Sequence, residues 1–266
     1  MPITGTTEVV AIIGNPIVQV KSPGLMNEYL ASKGRDAVEI PIELAPDGID
    51  GFVAMVRRWT NSKGFVVTVP YKQAVAPKLD RLTARAARFG TVNVVRRDPD
   101  GTLEGEMLDG VGFIAAAARH GVSVKGKTAT VVGAGGVASA IANSLCEEGV
   151  VRLRIQDLDS KKQDGLIATL RAAFPAIDIA AGRTPIAETD ILVNGTPVGM
   201  NGDPRLPVPA EYLDGLTSRT FVADVVTSPA MTPFLTLAKA RGCTIQVGTE
   251  MTETQIEALA AFMRIG

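Results

Sequence analysis

Short runs of β-branched residues alternate along the chain with segments whose apolar positions recur every three or four residues. Residues 8–14 run Val, Val, Ala, Ile, Ile to a closing Gly14, the pattern of a buried parallel strand. Ser22-Pro23 followed by Leu25, Met26, Tyr29 and Leu30 predicts a helix with proline at its first position. A strand over 38–44 and a helix over 51–60 follow, the helix carrying Phe52, Met55, Val56 and Trp59 on one side. Residues 64–69 read as a strand stopped by Pro70, then helices over 72–79 and 83–89. Asp98-Pro99-Asp100-Gly101 is a turn signal between strands 92–95 and 102–105, a hairpin.

After Asp109 the texture changes. An alanine-rich helix over 111–120 precedes strand 128–132, which runs straight into Gly133-Ala134-Gly135-Gly136 and a helix over 137–148. Strands at 153–156, 178–181, 191–194, 221–226 and 244–248 are interleaved with helices at 160–173 and 233–241, and an amphipathic helix over 252–263 closes the chain. Strands separated by helices predict an α/β fold with parallel sheets covered on both faces, and a boundary near residue 110.

Composition narrows the classes. The 266 residues carry 27 basic and 28 acidic side chains, so no surface suited to nucleic acid is expected. No apolar run reaches a membrane-spanning length, and the start has no signal-peptide pattern. Two lone cysteines, Cys146 and Cys243, fit a reducing compartment and give no zinc spacing. One histidine, His120, disfavours a Ser-His-Asp triad or a His-rich metal centre, and its place near a helix end suits a capping or solvated role. The expectation is a soluble cytoplasmic protein without metal.

Gly133, Ala134, Gly135, Gly136, Val137 and Ala138 join a predicted strand to a predicted helix, the context a phosphate-binding turn needs. Asp157 follows the next strand, about 20 residues on, where an acid meets the adenosine ribose. A carboxylate there accepts from a 2′-hydroxyl and repels a 2′-phosphate, so NAD is favoured; Lys161 and Lys162 offset the repulsion and keep NADP open. The alternative is a plain tight turn, with Asp157 a solvated helix cap. Lys72 follows a strand ended by proline, and Asp109 sits between Leu108 and Gly110 where the second half begins. A lysine and an aspartate at one cleft form a coupled pair able to pass the proton of an alcohol as hydride leaves.

Together these stretches resemble the shikimate/quinate dehydrogenase family over essentially the whole chain. The resemblance rests on Ile13-Gly14-Asn15-Pro16-Ile17, Lys21-Ser22-Pro23 with Asn27, Val67-Thr68-Val69-Pro70-Tyr71-Lys72, Gly90-Thr91-Val92-Asn93, and Asp109-Gly110 with Gly112-Phe113. It continues through Gly133–Gly136, Asn194-Gly195-Thr196-Pro197-Val198-Gly199-Met200, Asp224-Val225-Val226 with Pro229 and Thr232-Pro233, and Gly248 with Met251 and Gln255. It implies a substrate domain of residues 1–109 plus a returning C-terminal helix, 250–266, and a Rossmann-like NAD(P)-binding domain of residues 110–249. It also implies Lys72 and Asp109 as the catalytic pair, and Ser22, Thr68, Asn93 and Gln255 as hydrogen-bonding partners of a small cyclic hydroxy acid. Asn194, Thr196, Pro197, Val226 and Gly248 would line the cofactor. Gln156-Asp157-Leu158 replaces the family's usual NADP-binding turn and resembles its NAD-preferring branch. A monomer or homodimer is expected.

The departures bear on substrate. Val20 stands where members carry a serine, Val66 where they carry an asparagine, Met107-Leu108 where they carry Asn-Thr, and Thr227 where a tyrosine is common. Each lost hydrogen bond to a substrate hydroxyl weakens binding by about 1–3 kcal/mol. That points to a related but less hydroxylated substrate, unless Met107 and Leu108 turn into the core. The rival readings are a cofactor-binding sensor that kept the fold without catalysis, and a dehydrogenase for a folate or amino-acid derivative, which the Lys72 and Gln255 motifs fit poorly.

Overall fold

The computed structural model describes residues 3–266, which divide into two compact units. One comprises the chain up to Leu108 together with Gln255–Gly266; the other is Asp109–Thr254. Among the described residues no helix is long and apolar enough to cross a membrane.

The first unit is built on a mixed six-stranded sheet. In chain order its elements are β1 (Glu8–Gly14), α1 (Ser22–Ser32), β2 (Ala37–Glu43), α2 (Ile49–Arg58), β3 (Ser62–Val67), α3 (Lys72–Val75), β4 (Arg81–Leu82), α4 (Ala84–Phe89), β5 (Val94–Arg97) and β6 (Leu103–Glu106). The strand order is β2-β1-β3-β5-β6-β4. β1 pairs parallel with β2 and β3, whereas β5 runs antiparallel to both β3 and β6. The expected hairpin is β5–β6, and it makes this sheet mixed rather than wholly parallel. Its core joins Ile13, Phe65, Val67, Val95 and Leu103 to Phe52, Val53 and Val56 of α2. Phe52 meets Phe65 edge-on, ring centroids 5.0 Å apart.

Two helices differ from expectation here. In α2, Met55 is 48% exposed and Val53 takes its place in the core, while Trp59 lies just past the helix end. The helix expected over 72–79 stops at Val75 and continues as a tight 3-10 turn, Ala76–Lys78, around Pro77, whose nitrogen has no proton for an α-helical bond.

The second unit contains α5 (Asp109–Arg119), β7 (Thr128–Val132), α6 (Gly136–Glu147), β8 (Arg152–Gln156), α7 (Ser160–Ala173), β9 (Asp178–Ala181), β10 (Ile191–Asn194), α8 (Ala210–Leu213), β11 (Phe221–Asp224), α9 (Pro233–Ala240) and β12 (Thr244–Gln246). α10 (Gly248–Met263) begins there and crosses the division at residue 254. All six strands pair parallel, in the order β9-β8-β7-β10-β11-β12. The chain winds outward from β7 in one direction and from β10 in the other, leaving a topological switch point between those two strands. Strand β11 ends at Asp224, two residues short of expectation, because the Val226 N–H turns back to Asp224 Oδ1 at 2.9 Å. α10 starts four residues early: Glu250 reaches back to the Val247 N–H at 2.8 Å, half of a capping box.

Candidate active site

In the second unit the carboxyl end of β7 opens into the glycine turn. Gly133 has φ +111°, and a Cβ there would lie 3.0 Å from Thr196 Cγ2 and 3.1 Å from the Gly195 backbone, the loop after β10. Only glycine fits, so the two loops of the switch point pack closely. Gly135 is the N-cap of α6 and Gly136 its first residue; a Cβ on either would meet nothing within 4 Å. Open space above a helix N-terminus with bare backbone N–H groups suits a pyrophosphate. Ala138 answers to the third glycine position: a Cβ on Gly195 would come within 2.6 Å of its methyl.

Asp157 follows β8 and braces this turn. Its Oδ2 accepts from the Ala134 N–H at 2.6 Å and its Oδ1 from the Asp159 N–H at 2.8 Å. The cap of α7 is Asp159, which accepts from Lys161 and Lys162 N–H, so Asp157 is not the helix cap. A cavity of about 720 Å³ is lined by Gln156, Asp157, Gln163, Arg183, Thr184 and Tyr212, among others. Gln156 Oε1, Arg183 Nη1 and Thr184 Oγ1 are buried there without hydrogen-bond partners, and Arg183 stacks on the Tyr212 ring at 4.7 Å. Unsatisfied donors and acceptors around one cavity fit the adenosine half of a dinucleotide. Sequence reading missed Arg183, Thr184 and Tyr212; the one available signal was that the loop after the edge strand borders the acid-bearing one.

Asn194, expected to line the cofactor, is fully buried and organises the loop after β10. Its Nδ2 donates to Val198 O at 3.1 Å and to Asp224 Oδ1 at 3.0 Å, while its Oδ1 accepts from the Thr196 N–H and hydroxyl. Thr196 is half-buried and Pro197 exposed. Asp224 also accepts from Thr232 Oγ1 at 2.8 Å; burial pushes its carboxyl up, against the pull of these donors. Gly248 is required where α10 starts, since a Cβ would lie 2.4 Å from Val226 O. Asp109, buried, opens α5, and Gly110 lets α5 approach α6: a Cβ there would sit 2.2 Å from Ala140 O. His120 is exposed just past the end of α5, as expected, and it also has a side-chain partner. Its Nε2 lies 2.8 Å from Glu250 Oε1.

In the first unit Lys72 is the first residue of α3, directly after the loop that ends β3, and is half-buried. Tyr71, buried before it, donates its hydroxyl proton to Leu44 O, and the Lys72 carbonyl accepts from the Val92 N–H at 3.0 Å. Thr68 stays beside β1 because Gly14 makes room: a Cβ on Gly14 would be 2.5 Å from Thr68 Cγ2. Asn93 is buried, exchanges backbone bonds with Val67 and Glu106, and accepts from the Leu108 N–H at 2.7 Å on Oδ1. Gln255, on α10, is buried too. Ser22 opens α1, buried, with no partner for its hydroxyl. Val66, Met107 and Leu108 are all buried; the pair Met107-Leu108 fills core, and its backbone, not its side chains, serves Asn93 and Glu106.

A doubly wound parallel sheet with a glycine turn, an acid at the end of the next strand braced against it, and a second α/β unit defines a dinucleotide-binding protein. A family model described as the shikimate dehydrogenase substrate binding domain matches residues 12–95. The shikimate dehydrogenase (NADP(+)) of Ruegeria sp. (strain TM1040) is 34% identical over 245 residues, spanning 90% of this chain and 86% of that protein. The shikimate 5-dehydrogenase of Listeria monocytogenes, solved in complex with shikimate and NAD, aligns with TM-score 0.91 at 30% identity, over 99% of this chain and 94% of that one. The ligand-free 5-ketofructose reductase of Gluconobacter sp. strain CHM43 aligns with TM-score 0.88 at 30% identity, covering 97% and 92%. The chain belongs to the shikimate/quinate dehydrogenase family and is an oxidoreductase.

Proposed function

We propose that the protein transfers hydride reversibly between a nicotinamide cofactor and a ring hydroxyl or ketone of a shikimate- or quinate-like cyclic acid. The observation that carries this is the 34% identity to a shikimate dehydrogenase along 90% of the chain. The bound cofactor supplies or accepts the hydride. Lys72 holds the substrate oxygen: in reduction its ammonium gives that oxygen a proton, and in oxidation its amine takes the proton back. Asp109 orients the ammonium. Ser22, Thr68, Asn93 and Gln255 bind the ring substituents.

Gly133–Val137 would hold the pyrophosphate and Asp157 the adenosine ribose, with Thr196, Pro197, Val226 and Gly248 along the nicotinamide side. NAD is the preferred cofactor in this reading, because Asp157 opposes a 2′-phosphate. Arg183 lines the same cavity and keeps NADP usable. The buried Val66 supports a substrate with fewer hydroxyls than shikimate, and the likeness to a 5-ketofructose reductase supports a family scaffold that also takes a neutral keto-sugar.

A cofactor-binding sensor is the second reading, favoured by the apolar Val66 where relatives carry an asparagine. Cyclic hydroxy acids screened with NAD⁺ and NADP⁺, reading absorbance of the reduced nicotinamide, separate the two. The dehydrogenase reading expects turnover with at least one acid and higher kcat/KM with NAD⁺. Cofactor binding without turnover across the panel would favour the sensor.

A further inference from the structure

Glu39 is the one buried side chain of β2, 1% exposed in the middle of the strand. Asn27 of α1 clamps its backbone, accepting from the Glu39 N–H at 2.7 Å and donating to the Glu39 carbonyl at 3.0 Å. Neither carboxyl oxygen has a hydrogen-bond partner, and neither does the adjacent Ser22 hydroxyl. A buried carboxyl without a partner is destabilising, and a packed core has no use for one. Val10, its register partner on β1, is fully buried and offers it nothing polar.

We propose that Glu39 and Ser22 together form a polar subsite that receives an uncharged hydroxyl or carbonyl of the substrate and disfavours a carboxylate. This deepens, and rests on, the dehydrogenase reading above. Ser22 is the position matched to a substrate contact, and Val20 has removed the hydroxyl that would sit beside it. A second acceptor, Glu39, stands next to the serine instead. A substrate carboxylate bound to Ser22 would lie against the Glu39 carboxylate, and two such groups sharing a site cannot both ionise without cost. Burial pushes the Glu39 carboxyl up to about 7, with the Ser22 hydroxyl near enough to pull the other way although too poorly placed for a full hydrogen bond. The subsite therefore tolerates an acid while Glu39 is protonated and rejects it once Glu39 ionises.

Other charges on the elements packed there are separate from this pair. Lys21 just before α1, Glu28 on α1 and Glu43 on β2 are exposed, Tyr29 is half-buried, and Glu8 on β1 pairs with Lys63 at 2.8 Å.

The test uses the full chain loaded with NAD⁺, and two probes of one shape, shikimate and its uncharged methyl ester. Calorimetric Kd and steady-state KM are measured at about pH 6 and about pH 8. For wild type, shikimate binding should weaken about tenfold over that interval, following the protonated fraction of Glu39, while the ester stays constant. In Glu39→Gln the shikimate dependence should vanish, and its Kd at the higher pH should fall about tenfold below wild type. Ser22→Ala should weaken both probes. Parallel pH profiles for acid and ester in wild type would overturn the proposal, as would an unchanged acid profile in Glu39→Gln. Should Glu39→Gln not fold, the wild-type comparison of the two probes decides. Turnover with pH-independent binding removes the role of Glu39 alone. Absence of binding by either probe removes the dehydrogenase reading with it.

Discussion

At the residue scale Asp157 and Arg183 face one cavity with opposite charge, and Asp157 is already engaged in holding the glycine turn. Asp157→Ala should raise the NADP⁺/NAD⁺ ratio of kcat/KM about tenfold or more, while Arg183→Ala should lower NADP⁺ affinity with little effect on NAD⁺. Fluorescence titration of the two reduced cofactors checks both, and an unmoved ratio in Asp157→Ala would mean that the carboxylate acts on the turn alone. Glu39 gives a stability prediction that needs no substrate. Its native carboxyl holds its proton up to about 7 against an ordinary value of 4.5, so the folded state binds the proton more tightly than the unfolded chain. The contribution of Glu39 to stability is thus fully present below 4.5 and is lost as pH rises to about 7, by roughly 3 kcal/mol at most. Glu39→Gln should remove that decline, and urea unfolding across this range reads it; a variant no more stable than wild type above pH 7 would contradict the assignment. Asp157 was legible from its spacing after the glycines. Arg183, Thr184 and Tyr212 were not, because the loop after β9 and helix α8 bring them together from distant stretches of chain. Glu39 reads in sequence as an ordinary polar position of an alternating strand, and only its burial among α1 and β1 distinguishes it.

At the scale of elements, three glycines fix how backbones approach one another, and Gly110 gives the sharpest case. An exposed helical Gly→Ala change ordinarily stabilises by up to about 1 kcal/mol. Gly110→Ala should do the opposite, losing about 1–3 kcal/mol, because its methyl would meet the Ala140 carbonyl at 2.2 Å and push α5 from α6. Thermal unfolding measures the loss, and kcat should fall with it because Asp109 immediately precedes the displaced residue. The strands and long helices were legible from hydrophobic period alone. Their ends were not, since side chains decide them: Asp224 turning back on Val226 shortens β11, Glu250 capping Val247 advances α10, and Pro77 breaks the helix after Lys72. The same holds for Met55. Its spacing suited the apolar face of α2, yet Val53 fills that place.

At the scale of the whole molecule, the doubly wound sheet follows from alternation of strand and helix, and the mixed character of the first sheet follows from the one hairpin that interrupts it. The order of strands is a tertiary fact that no local pattern encodes. The chemistry claimed for this protein is more compact than its architecture, since it turns on Lys72 at the head of α3 and Asp109 at the head of α5. Asp109→Asn, which keeps the shape and removes the charge, should reduce kcat in the same direction as loss of the lysine. The most direct test is single-turnover and steady-state kinetics of Lys72→Ala with the best acid from the screen, alongside its cofactor Kd. A drop of about 10²–10⁴-fold in kcat with cofactor affinity within about twofold of wild type is expected. A variant that keeps more than about a tenth of wild-type turnover would contradict the assignment of proton transfer to Lys72.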